Sequence, residues 1–309
     1  MAVNSYFGTK ATPWIKTNAV FVGEALTSAQ ALKTAKLDFD VLQEPVFDGS
    51  LNPVKGYRLN RKSDDGRILG MVTDRYKIVQ NTDAFAFTDG LIGPNCRYEN
   101  AGSCNGFRVV WLQAKLEPRK IMGDMYDNFL FFKNSFDGKG SVKVCVTPVR
   151  LVCQNMLNAA VRRAKRVFSI RHTGDIAGKI HEADMTLRLS EEYLTEVQED
   201  YVRLARIRLN AEKVNQIWET LFPIEKDDTE WKIRNAETQR SIIRQCYNAD
   251  DLGNFRGTGF GVINAVSDMV SHPTPLRMTD SVYGNLFDRL TNGHPLMDRA
   301  QELVYAMAK

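Results

Sequence analysis

The sequence lacks several things that would have named its chemistry at once. No apolar run approaches the ~18 residues needed to cross a bilayer, so a membrane-spanning chain is not expected. Cysteine is scarce, at five in 309 residues, and an odd number in a long chain fits a reducing compartment better than a disulfide framework. Cys96 with Cys104, and Cys145 with Cys153, are too far apart for zinc knuckles. Only four histidines occur, and packing or capping explains them better than ligation. No Walker A pattern is present, which speaks against ATP-driven work. Gly257, Gly259 and Gly261 resemble a dinucleotide loop, but no βαβ pattern surrounds them, and a tight turn or close helix contact is the simpler reading. Carboxylates such as Asp124, Asp127 and Glu230 do not sit in a magnesium-site arrangement and read as surface charge. Neither a cofactor nor a metal is expected, and the chain does not read as an enzyme, with a metal-dependent nuclease as the remaining catalytic alternative. Met1–Val20 shows no basic segment leading into an apolar one, so the expectation is a cytoplasmic protein without a secretory signal.

One further absence points somewhere. Between Gly138 and Gly174 there is no Asp or Glu, while Lys139, Lys143, Arg150, Arg162, Arg163, Lys165, Arg166 and Arg171 all fall there. That is +8 within a chain of net charge +4, so the remainder sums to −4. The next stretch, Asp175–Glu230, carries 14 acidic against 7 basic residues. A basic block beside an acidic one is the footprint of a polyanion-binding face. Scattered solvated charge is the bland alternative.

Periodicity places the block. Thr27 or Ser28 caps a short helix to about Ala35, and Asn81 caps another through Leu91. Asp38–Phe47, Gly56–Lys62, Arg67–Val72 and Tyr76–Val79 read as strands, with a tight turn at Ser63–Gly66. Phe107–Leu116, Asn128–Phe136 and Ser141–Val149 are three longer strands, the last two joined by Asp137-Gly138-Lys139-Gly140. Pro148 marks a strand end or edge. Leu151–Ala164 reads as a helix with cations at its carboxyl end. From Asp175 the pattern turns helical: about 176–208, Asn210–Phe222, Trp231–Tyr247, Gly261–Ser271 and Pro295–Ala308. The expected class is α+β, with a mostly antiparallel sheet in a core spanning 1–174 and a mainly helical region over 175–309.

A basic track with interleaved aromatics is what single-strand binders use. Most aromatics of the middle strands read as core, whereas Tyr76, between Arg75 and Lys77, is the better candidate for an exposed platform for a base, with a strand-pairing role the equal alternative. The eight cations named above are the candidate phosphate contacts, with Tyr76 beside them.

Four blocks carry a resemblance: ILGMVTDRYKIVQNTDAFAFTDGL (68–91), TPVRLVCQNMLNAA (147–160), SIRHTGDIAGKIHEA (169–183) and GVINAVSDMVSH (261–272). In order and spacing the chain resembles the phage/plasmid-like protein family, a domain of unknown function. The resemblance implies a phage or mobile-element origin and a bacterial host cytoplasm, and it supplies no catalytic residues. More loosely, three antiparallel strands followed by a helix are similar to the core of Rad52-like single-strand annealing proteins. The resulting expectation is a single-stranded DNA-binding, strand-annealing protein of recombination or replication, working as a homo-oligomeric ring or filament. The alternative is a protein-interaction factor, such as an anti-defence inhibitor, with no nucleic-acid substrate.

Overall fold

The structure is a computed structural model and describes residues 3–8, 19–121, 123–150, 167–174, 190–271 and 294–308. Its α+β class is the one expected: two sheets with packed helices, then helices alone.

The large sheet is built from β1 (Val3–Gly8), β2 (Ala19–Phe21), β6 (Tyr98–Cys104), β7 (Val109–Ile121), β8 (Asp124–Ser135), β9 (Val142–Arg150) and β10 (Val167–Ile170). They lie in the order β10-β9-β8-β7-β6-β1-β2. Every pairing is antiparallel except β1 with β2. Leu112, Leu130, Phe132, Val142 and Val144 are buried on one face, where Phe87 of helix α2 (Asn81–Ile92) meets Phe132 with ring centroids 6.1 Å apart. The other parity is buried too: Trp111, Gln113, Phe129, Phe131 and Lys133 are all under 9% exposed. A sheet covered on both faces explains why FLFF and VVWL run on without polar alternation. Pro148 lies opposite Asn128 of β8 and beyond the last β10 pairing. Among the described residues it therefore sits where β9 is an edge.

The small sheet joins β3 (Val41–Phe47), β4 (Pro53–Lys62) and β5 (Ile68–Thr73) in that order. Its inner face leans on the large sheet through the turn between β8 and β9. Asn60 Nδ2 donates to the Phe136 carbonyl at 2.7 Å. The Lys62 ammonium lies 4.5 Å from the Phe39 ring centroid and 4.8 Å from that of Phe107, with Asp64 as its counter-charge. Cation–π contact and an ion pair together make burial of this lysine tolerable. Helix α1 (Ser28–Thr34) is closed by a capping box between Thr27 and Gln30.

Tyr76–Val79 is not the strand its β-rich composition suggested. It is a loop whose Lys77 N–H goes to the His172 carbonyl at 2.7 Å rather than to a ladder. The helix expected over 151–164 lies outside the described residues.

After β10 every described element is helical: α3 (Ser190–Arg206), α4 (Ala211–Leu221), α5 (Glu230–Tyr247), a 3-10 turn (Asp250–Phe255), α6 (Gly259–Ser271) and α7 (Pro295–Met307). Asn210 and Thr229 cap α4 and α5 through the Lys213 and Lys232 amides. Tyr201, Trp218, Phe260, Val262 and Val304 form the core of this region. A Cβ on Gly259 would come within 2.6 Å of Val304 Cγ1, and one on Gly261 within 2.3 Å of the Phe255 carbonyl oxygen. Gly257 has φ +73°. These glycines serve a turn and close packing rather than a dinucleotide loop.

Candidate nucleic-acid interface

Three chain segments meet where the two sheets touch. The first is the β8–β9 turn. Asp137 Oδ1 accepts from Ser135 Oγ at 2.6 Å and from the Lys139 amide at 2.9 Å, and Gly138 takes φ +76°. A side chain that closes its own turn in this way fixes the hairpin expected from Asp-Gly-Lys-Gly. Lys139 is exposed at its tip.

The second segment is the loop after β5, and the third follows β10. Their contact is a ring stack: Tyr76 and His172 lie 4.4 Å apart at an interplanar angle of 14°. Lys77 N–H donates to the His172 carbonyl, and His172 Nδ1 lies 2.9 Å from the Lys77 carbonyl. A carbonyl only accepts, so Nδ1 carries the proton. The Tyr76 hydroxyl donates to the Ser135 carbonyl at 2.6 Å, which ties the stack to the first segment. Ser141 and Ser169 hydroxyls, 2.7 Å apart, join β9 to β10 nearby.

This geometry overturns one expectation. Tyr76 is only 6% exposed and is no platform for a base, because its hydroxyl bond and the His172 stack draw it inward. Burial, aided by the Asp137 charge, pushes its phenol up from its ordinary value. Burial also lowers His172, against opposing effects of the Lys77 carbonyl and Asp137. Because Tyr76 points inward, its neighbours Arg75 and Lys77 are both exposed. These two are the cations that charge-block reasoning missed, and the sequence signal for them was their position around a tyrosine assigned the wrong side.

The other expected residues divide into three groups. Lys139, Lys143 and Arg171 are brought to this region. Lys143 is half-buried between Lys133 of β8 and Ser169 of β10 in the ladder, and Arg171 is exposed just past β10. Arg150 ends β9 opposite Tyr126. Arg162, Arg163, Lys165 and Arg166 lie outside the described residues.

Catalytic groupings are thin by comparison. Among the described residues no three His, Cys, Asp or Glu side chains gather as metal ligands. An open cavity of about 470 Å³ is lined by Thr27, Ser28, Asp89, Cys96 and Arg97 among others. Burial pushes the Cys96 thiol up to about 12, so it is no poised nucleophile. No helix of the described residues is long and apolar enough to cross a membrane.

The outward face of the small sheet is different in kind. Leu42, Tyr57, Ile68 and Met71 are 44–57% exposed there, around the Arg61–Glu44 ion pair at 2.8 Å.

No curated protein and no solved structure matches the chain. Residues 68–290, more than two thirds of its length, match the family described as Domain of unknown function (DUF932). That span takes in the β5–α2 loop, the β8–β9 turn and the end of β10, and the protein belongs to this family.

Proposed function

We propose that the protein binds single-stranded DNA through a cationic surface and promotes strand annealing in the recombination or replication of a phage or other mobile element. The observation that supports this reading is that the turn bearing Lys139, the strand bearing Lys143 and the segment bearing Arg171 are joined around one buried ring stack. Phosphate recognition needs cations held in place rather than a catalytic constellation. The acid-free stretch from Gly138 to Gly174 removes competing carboxylates from the same chain segment. The blocks resembling the phage/plasmid-like family suggest the biological setting, and three strands followed by a helix, as read from the sequence, are the looser likeness to annealing proteins.

The test is fluorescence anisotropy of a labelled 40-nucleotide single strand and of the matching duplex over a range of salt. The reading expects preference for the single strand and a steep loss of affinity with salt. No binding at low salt refutes it.

A second reading is favoured by the apolar outer face of the small sheet, where Leu42, Tyr57, Ile68 and Met71 are exposed. Such a patch suits a protein contact, either a second copy of the chain in a ring or filament or a host protein. Light scattering with and without DNA separates these: growth on DNA supports assembly on the strand, and a small fixed size supports an interaction factor.

A further inference from the structure

We propose that Arg75 and Lys77 form a second arm of the phosphate-binding surface, and that Tyr76 and His172 are the positioning residues that hold this arm against Lys139 and Arg171. The proposal rests on the nucleic-acid reading above and adds residues outside the acid-free block.

Four observations carry it. Arg75 and Lys77 flank buried Tyr76, whose N–H closes a turn onto the Thr73 carbonyl at 3.0 Å, and both flanking residues are exposed. Arg171 precedes buried His172, to which Lys77 is bonded through both its N–H and its carbonyl, so the two exposed edges run side by side. Among the described residues none of the four cations is in an ion pair, whereas Arg61, Lys62, Arg67 and Lys115 each hold a carboxylate. Asp137, whose charge acts on the stack, accepts through Oδ1 from Ser135 and the Lys139 amide. Uncommitted cations on two mutually fixed loops are preorganised for a chain of phosphates, because little ordering remains to be done on binding.

The experiment uses the full chain, a labelled 40-nucleotide poly-dT strand and long-chain inorganic polyphosphate. The variants are the double substitutions Arg75→Ala/Lys77→Ala and, as a control of equal charge change, Lys33→Ala/Lys36→Ala on and just after α1. Losing two phosphate contacts is expected to lower the slope of log affinity against log salt by about 1.4, at ~0.7 per contact for single strands. The control should leave it unchanged. Equal slopes in wild type and the Arg75/Lys77 variant overturn the arm and leave the nucleic-acid reading standing. Binding of polyphosphate but not of DNA, with the slope still falling in the variant, keeps the arm and overturns the nucleic-acid reading. Binding of neither overturns both.

For the joint, Tyr76→Phe keeps the ring stacked on His172 and loses only the hydroxyl bond to the Ser135 carbonyl, so its slope should fall less than that of Tyr76→Leu. Tyr76→Leu removes the stack and should lower the slope with unchanged circular dichroism. Should Tyr76→Leu fail to fold, His172→Gln removes the ring while keeping an amide donor for the Lys77 carbonyl, and the same fall is expected. Wild-type slopes in Tyr76→Leu, or in His172→Gln where that variant stands in for it, overturn the positioning role.

Discussion

Gly70→Ala is the substitution that most sharply probes how the small sheet seats the cationic turn. A Cβ at Gly70 would lie 2.5 Å from Asp137 Cα, 3.0 Å from its carbonyl carbon and 3.1 Å from its Cβ. Carbon atoms rest at about 3.5–4.0 Å, so the turn has to retreat by roughly 1 Å. All three opposing atoms belong to Asp137, two of them main-chain, so no side-chain rotation relieves the clash. Overpacking of this kind costs ~1–3 kcal/mol. The same retreat strains Asn60 Nδ2 to the Phe136 carbonyl and the Tyr76 hydroxyl to the Ser135 carbonyl, buried bonds worth about 1 kcal/mol each. Alanine regains about 0.5 kcal/mol in backbone entropy. The expected loss is therefore about 2–4 kcal/mol, read as a lower urea midpoint by tryptophan fluorescence. Gly23→Ala is the control, because nothing lies within 4 Å of its added Cβ, and it should stay within ~0.5 kcal/mol of wild type. A Gly70→Ala loss no larger than that of Gly23→Ala refutes the seating of the turn.

Other consequences are smaller in scope. His172 is held below its ordinary value by burial, so the unfolded chain takes up its proton first as pH falls. Its stabilising contribution is whole above about pH 6.5 and declines on acidification toward the folded-state value. The decline is at most about 1.4 kcal/mol per pH unit for one proton. The urea midpoint should fall less from pH 7.5 to pH 5.5 in His172→Gln than in wild type, and equal falls contradict the burial of the imidazole. Asn210→Ala removes the side chain that accepts from the Lys213 amide at 2.8 Å and should cost about 1 kcal/mol, seen by thermal melting. Burial pushes the Cys96 and Cys246 thiols up to about 12. Alkylation at pH 8, followed by mass spectrometry, should label both slowly in the native protein and quickly in urea.

Much of the fold was legible because its strands announce themselves by composition. The runs at 107–116, 128–136 and 141–149 lie inside β7, β8 and β9 or overrun them by a residue or two, since Val, Phe and Trp at those densities fit a pleated, doubly covered sheet. β6 was missed because YENAGSC holds no β-branched residue. It is held by its ladder and by a row of polar contacts, Trp111 Nε1 to Asn100 Oδ1 at 3.2 Å and Asn100 to Gln113, which no periodicity reveals. The reverse error occurred at Tyr76–Val79, where strand-like residues make their backbone bond to His172, 95 positions from Lys77. The site divided along the same line. Lys139 and Arg171 were visible as charge in one segment, whereas Arg75 and Lys77 join them only through a contact that is distant in sequence.

On the proposed reading, cations from the β5–α2 loop, the β8–β9 turn and the end of β10 form one surface on which a single strand lies. Ultraviolet crosslinking of the full chain to a 40-nucleotide single strand, with the attached peptides mapped by mass spectrometry, tests it most directly. Adducts are expected to cluster around Arg75–Lys77, Lys139–Lys143 and Phe168–Thr173. Adducts confined to the helices after Ser190, with these three segments clean, would contradict it.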